Sequence, residues 1–239
     1  MKKSNKKALA IISIILVVFL IAGAIIFFVG ILPNIKAEKE HQEKVKLYFS
    51  QKLALYEQEN ALYSDYEVDV AFLGDSLTDL YDLEKYYPQY LTANRGIGGD
   101  TTFGLEQRLK VSVFDLKPKV AVMLIGANNM DSMFDNYENI LISLKQNLPN
   151  TKVVLLSLTA MGGKLWGSKN QLACYNNVKI ELLAQKYGFY FVDLYTPLFD
   201  VNIGEVYDGY TVDGGHFTHQ GYQVVTAHVT PILQSILGK

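Results

Sequence analysis

Cysteine is nearly absent from this 239-residue chain: Cys174 stands alone, so no intrachain disulfide framework can form. Cys174 falls in a helical pattern and is expected to be buried, as free cysteines usually are. No cysteine lies near the N-terminus, which excludes a lipid-modified cysteine anchor. A surplus of positive charge is also missing. With 22 Lys and Arg against 24 Asp and Glu, the formal net charge is −2, and no nucleic acid partner is expected without a basic face. The glycine-rich run Gly96-Ile97-Gly98-Gly99-Asp100 lacks the G-x-G-x-x-G spacing of a dinucleotide loop, and Asp100 would repel a phosphate. Asp75, Asp79, Asp100 and Asp131 have neither H-x-x-x-H nor paired-carboxylate spacing around them, so no metal site and no cofactor is expected. Internal repeats and low-complexity tracts are absent as well.

What is present begins with a membrane signal. Lys2, Lys3, Lys6 and Lys7 precede an uncharged run from Ala8 to Leu32. As a helix, about 25 residues reach roughly 37 Å, enough to cross a ~30 Å hydrocarbon core with some tilt. A cleavable leader has a shorter apolar region, about 7–15 residues, so a retained signal-anchor is expected over residues 8–32, after a basic tail at 1–7. Small residues at Ala22, Gly23 and Ala24 leave cleavage open. The lysine cluster argues for a cytoplasmic N-terminus with the remainder outside; Lys36, Lys39, Lys44 and Lys46 beyond the run make the asymmetry modest.

Residues 33–66 are charged and loosely amphipathic, with Leu47, Leu53, Leu55, Tyr56 and Leu62 on a helical period. No heptad is sustained, so the segment is expected to be a helical stalk and not a coiled coil.

The domain proper is expected at 67–239, a length and hydrophobic content able to bury one sizeable core. β-rich apolar runs recur at 68–73, 91–94, 120–125, 153–158 and 189–192, alternating with helical patterns at 102–113, 137–148, 168–187 and 218–237. That alternation predicts a parallel sheet covered on both faces. Gly188 is placed to cap the third helix, and Pro231 is expected to kink or interrupt the last.

Polar and glycine residues gather after the strands, where an open α/β sheet forms its ligand crevice. The stretch Gly74-Asp75-Ser76-Leu77 puts a serine just past the first strand; Gly-Asp-Ser is also good turn chemistry. A serine hydroxyl needs a base, and His216 can serve; the imidazole needs an orienting carboxylate, and Asp213 can be brought to it by a tight loop through Gly214 and Gly215. The N–H groups of Ser76 and Gly99 with the side-chain amide of Asn128 can form an oxyanion hole, although Asn128 taken alone is ordinary turn chemistry. His219 and His228 read as surface or packing residues of the last helix. The segment 160–170, with Met161, Leu165 and Trp166, is either a wall of the crevice or a plain connection.

Four blocks, Gly74-Asp75-Ser76-Leu77, Asn94 through Thr101, Gly126-Ala127-Asn128 and Asp213-Gly214-Gly215-His216, follow the order found in the SGNH, or GDSL-type, hydrolases, and the chain resembles that family over nearly all of 67–239. The second block is especially similar to bacterial relatives of the platelet-activating-factor acetylhydrolase catalytic subunits. The resemblance implies a flavodoxin-like three-layer α/β/α sandwich with a five-stranded parallel sheet. It implies Ser76 as nucleophile, His216 as base, Asp213 as its partner, and Ser76, Gly99 and Asn128 as the oxyanion hole. Two positions depart from the family pattern: Asn129 stands where many members have Asp, and Phe217-Thr218 follow the histidine where Pro-Asn or a similar pair is usual. Thr218 can still cap the last helix.

The expected activity is therefore a serine esterase or lipase-like hydrolase. Its substrates would be small acyl esters, acetyl foremost, on small molecules, glycans or lipids, with the membrane as a partner through the N-terminal helix. An O-acyltransferase on the same triad and a non-catalytic, membrane-tethered binding module are the alternatives.

Overall fold

The computed structural model describes residues 26–239 together with Leu16 and Phe19. The basic tail and most of the expected span at 8–32 lie outside the described residues, and among those described no helix is long and apolar enough to cross a membrane. The chain divides into two compact units, Met1–Gln51 and Lys52–Lys239. In the first, a π-helical turn, Ile26–Ile31, leads into helix α1 (Leu32–Asn60), whose side chains through Gln51 are exposed or half-buried. The last turns of α1 belong to the second unit, which thus starts ahead of residue 67, where the sequence pattern put it.

The core of the second unit is a five-stranded sheet of β1 (Val70–Gly74), β2 (Thr92–Gly96), β3 (Val120–Leu124), β4 (Lys152–Leu156) and β5 (Tyr190–Val192). Their order is β2-β1-β3-β4-β5, and every pair is parallel. Side chains alternate between faces along a strand, and the two faces bury two separate clusters. Val70, Phe72, Val122 and Val154 pack with Val225, Val229 and Leu233 of α6 (His219–Leu237). Leu73, Ala121, Met123 and Leu155 face the other way, onto α3 (Thr102–Leu109), α4 (Tyr137–Asn147) and α5 (Asn170–Tyr187). Because both faces are covered, the strands read as continuous apolar runs. The result is the expected three-layer α/β/α sandwich.

Three local expectations change. Pro231 does not interrupt α6, which runs on to Leu237 and is capped by Gly238 at φ +72°. A proline inside a helix costs about 3 kcal/mol. Burial of Tyr222, Val225, Val229 and Leu233 on one face, at about 1.5–3 kcal/mol per side chain, outweighs it. Cys174 is exposed, because the buried face of α5 is set by Ala173, Asn176, Ile180, Leu183 and Ala184. Polar Asn94 and Arg95 lie inside β2, which extends to Gly96. Gly188 caps α5 as expected, at φ +71°, donating to the Ala184 and Gln185 carbonyls.

The chain leaves β1 for β2 on one side and later returns to β3 on the other. This reversal opens a crevice at the carboxyl ends of β1 and β3.

Candidate active site

The first element at that crevice is the turn from β1 into a single helical turn, α2 (Ser76–Asp79). Asp75 caps it, its Oδ1 accepting the Leu77 N–H at 3.1 Å, and Ser76 becomes the first helical residue. Gly74 supplies room rather than an unusual backbone angle. A Cβ there would lie 2.2 Å from Thr78 Oγ1 and 2.3 Å from the Leu124 carbonyl.

The second element is the loop before α6. Gly214 (φ +89°) turns the chain so that Asp213 and His216 point together. Asp213 Oδ1 accepts the backbone N–H groups of Gly215 and His216 at 3.0 and 2.8 Å, and its Oδ2 accepts His216 Nδ1–H at 2.7 Å. Holding the proton on Nδ1 leaves Nε2 as an acceptor, and Nε2 lies 2.9 Å from Ser76 Oγ. Burial works against the Asp213 charge, but the hydrogen bonds from His216 and Gly215 outweigh it and bring the carboxyl down to about 2. Thr218 caps α6 by accepting the Gly221 N–H at 3.2 Å. The departure at Phe217-Thr218 thus leaves the loop closed, with Phe217 buried.

Ser76, Asn128 and His216 line one small, open-mouthed cavity, walled on its apolar side by Ala127, Met161 and Trp166. Met161 and Trp166 thus make the 160–170 segment a wall, while Leu165 is 72% exposed and is not among the lining residues. Asn128 follows Gly126, which takes φ +118°, and donates through Nδ2 to the Asp100 carbonyl at 2.8 Å. No acceptor for its second amide hydrogen is found among the described residues. Gly99 (φ +77°) sits one residue before that carbonyl and is not among the lining residues. Among the described residues neither the Ser76 nor the Gly99 N–H meets an acceptor. Asn129 braces the same corner, its amide donating to Thr102 Oγ1 at 2.9 Å. His219 and His228 lie apart from the site, bonded to Tyr86 and to the Val224 carbonyl.

Sequence reasoning missed the scaffold beneath. Arg108, 2% exposed, donates to the Gly74 carbonyl (2.9 Å), the Arg95 carbonyl (2.9 Å) and Asp100 Oδ2 (2.7 Å), tying together the ends of β1 and β2 and the glycine loop. Arg108 stands beside Glu106, Gln107 and Lys110 in the same helical pattern, so no local signal marks it as the buried one. Asp100 is held by this pair, and the cap of α3 is Thr101. Asp75 was also unassigned. Its Oδ2 is buried with no hydrogen-bond partner, and burial pushes the carboxyl up to about 7, with the Asp100 charge adding to that and the Leu77 N–H, His216 and Arg108 opposing it.

Fold and site together define a doubly wound α/β protein with a serine–histidine–aspartate array at its switch point. The sequence model of the GDSL-like Lipase/Acylhydrolase family matches residues 72–224, and the chain belongs to that family. It is a carboxylic ester hydrolase. A comparison with curated proteins finds no match. Among solved structures, a GDSL-like lipase from Bacteroides thetaiotaomicron is 25% identical with a TM-score of 0.68, over 77% of this chain and 97% of that one. A Streptococcus pneumonia protein, its name referring to platelet activating factor, is 23% identical with a TM-score of 0.68, over 83% and 98%. An acetylxylan esterase from Geobacillus stearothermophilus is 16% identical with a TM-score of 0.58, over 71% and 95%. At those identities the last two bear on the fold alone.

Proposed function

We propose that this hydrolase removes small acyl groups, acetyl foremost, from esters of glycans or lipids through an acyl-serine intermediate. His216 takes the proton of Ser76 as Oγ attacks the ester carbonyl carbon. The Ser76 and Gly99 N–H groups and the Asn128 amide receive the oxyanion. The C–O bond to the alcohol then breaks, and the alcohol leaves with the proton from His216. Water, deprotonated by His216, releases the acyl group and restores the serine. The observation that carries this reading is the unbroken relay from Asp213 Oδ2 through His216 to Ser76 Oγ, at 2.7 and 2.9 Å. The small cavity, closed on one side by Met161 and Trp166, supports a short acyl group. An acetylxylan esterase among the proteins of similar fold is consistent with a glycan ester.

The domain arrangement belongs to the same proposal: a signal-anchor at 8–32 with its N-terminus inside, a helical linker, and the catalytic unit outside the cell membrane. The uncharged run after four lysines supports it. Resistance of the full chain to alkaline extraction from membranes is the expected result, and release into the soluble fraction argues against it.

The catalytic reading is tested on aryl esters of increasing acyl length, with Ser76→Ala in parallel. Hydrolysis that falls steeply beyond acetyl and vanishes in Ser76→Ala is expected. Full activity of Ser76→Ala overturns the mechanism, and a preference for long chains overturns the acyl-size assignment.

A further inference from the structure

The last turns of α1 lie before the family-matched stretch, yet their side chains converge on the backbone of the glycine loop. Lys52, Tyr56 and Glu59 are spaced i, i+4, i+7 and so share one helix face. Tyr56, 1% exposed, donates its hydroxyl to the Gly96 carbonyl at 2.6 Å. Lys52 Nζ donates to Asp79 Oδ1 at 2.7 Å, and Asp79 Oδ2 accepts the Gly98 N–H at 2.9 Å. Glu59 pairs with Arg95, whose Nη2 also donates to Asn60 Oδ1 at 3.1 Å, and the Arg95 guanidinium lies 4.6 Å above the Tyr56 ring. Gly96 and Gly98 are thus each held, directly or through one carboxylate, and Gly99 is the next residue.

We infer that the Lys52–Asn60 end of α1 is a positioning element for catalysis, which sets the backbone from Gly96 to Gly99 so that the Gly99 N–H is presented to the oxyanion. This rests on the catalytic reading above. The physical reason is that a glycine loop has little intrinsic preference for one conformation. A donor aimed at the oxyanion is useful only if its direction is fixed before charge develops. The Tyr56 and Asp79 contacts fix that direction from outside the loop. None of the clamp residues lines the cavity at Ser76, so their removal is expected to leave substrate binding alone and to cost stabilisation of the transition state.

The test uses the full chain with Tyr56→Phe, Lys52→Met and Lys52→Arg, and an aryl acetate as substrate. Phenylboronic acid is the probe of the oxyanion hole, because it captures Ser76 Oγ as a tetrahedral adduct. A misplaced donor is expected to lower kcat about ten- to a hundredfold in Tyr56→Phe and Lys52→Met, with KM little changed. The inhibition constant of phenylboronic acid rises by the same factor, and Lys52→Arg restores the parent values. A purely structural role would lower the melting temperature without that parallel loss of kcat and boronic acid affinity. Parent-like kcat and inhibition in both variants overturn the inference. If Tyr56→Phe does not fold, Lys52→Met decides alone. Failure of the catalytic reading is told apart by Ser76→Ala, which would then keep full activity.

Discussion

Asp213 and His216 are joined twice: Oδ2 of the aspartate accepts the imidazole Nδ1–H at 2.7 Å, while Oδ1 accepts the histidine's own backbone N–H at 2.8 Å. One carboxylate therefore fixes both the tautomer and the peptide that carries the ring. Asp213→Asn keeps an oxygen for the backbone but offers an amide, which cannot accept from Nδ1, so the imidazole is driven to the wrong tautomer. The expected loss in kcat is about 10³–10⁴-fold, with a melting temperature near the parent's. Steady-state kinetics beside a thermal melt checks both parts.

Asn128 lines the cavity and offers one amide hydrogen to the Asp100 carbonyl, while the other meets no acceptor among the described residues. Asn128→Ala is expected to lower kcat by about 10²–10³-fold, the usual consequence of losing one oxyanion donor, with a much smaller change in KM. Burst kinetics on an aryl acetate would place the loss in acylation.

Gly214→Ala is expected to damage fold and activity together. The residue stands at φ +89°, and an added Cβ would lie 1.9 Å from the Gly162 carbonyl oxygen, which is backbone and cannot swing aside. The loop that carries Asp213 and His216 would have to move. Circular dichroism melts should show a lowered midpoint, and the esterase assay a large fall in kcat.

Asp75 gives a pH-dependent prediction. Burial chiefly, with the nearby Asp100 charge, raises its carboxyl to about 7 in the folded protein against 3.8 for an ordinary aspartate, while the Leu77 N–H, His216 and Arg108 pull the other way. Between those values the folded state holds a proton that the unfolded state has released, so this group's contribution is complete below about pH 4. It is lost as pH rises towards about 7 and constant above. Asp75→Asn removes the titration. The stability of the parent relative to that variant should decline from pH 4 to 7 and then level off, measured by urea unfolding at each pH. A difference that grows with pH would reverse the assignment.

Much of this was legible in the sequence for a physical reason. Strands buried on both faces must be apolar throughout, so β1, β3 and β4 announce themselves in runs such as Val120 to Leu124. Three of the four polar blocks were visible because each lies at the end of a strand, whereas Asp213 to His216 comes well past β5, just ahead of the last helix. β2 was harder to read, since its Asn94 and Arg95 are satisfied by partners far along the chain: Asn94 donates to the Thr78 and Tyr81 carbonyls, and Arg95 meets Glu59 and Asn60. Such contacts leave no periodic trace. Pro231 and Cys174 were misjudged because residue type was weighed without knowing which helix face met the sheet.

The pairing of Arg95 with Glu59 reaches back 36 residues, and the guanidinium is wholly shielded from water. Scission anywhere between that glutamate and the sheet would strand a cation in the interior, a strongly destabilising outcome. Cleavage upstream of Glu59 keeps the pair intact, so a trimmed catalytic unit that stays folded should still begin with the closing turns of a helix.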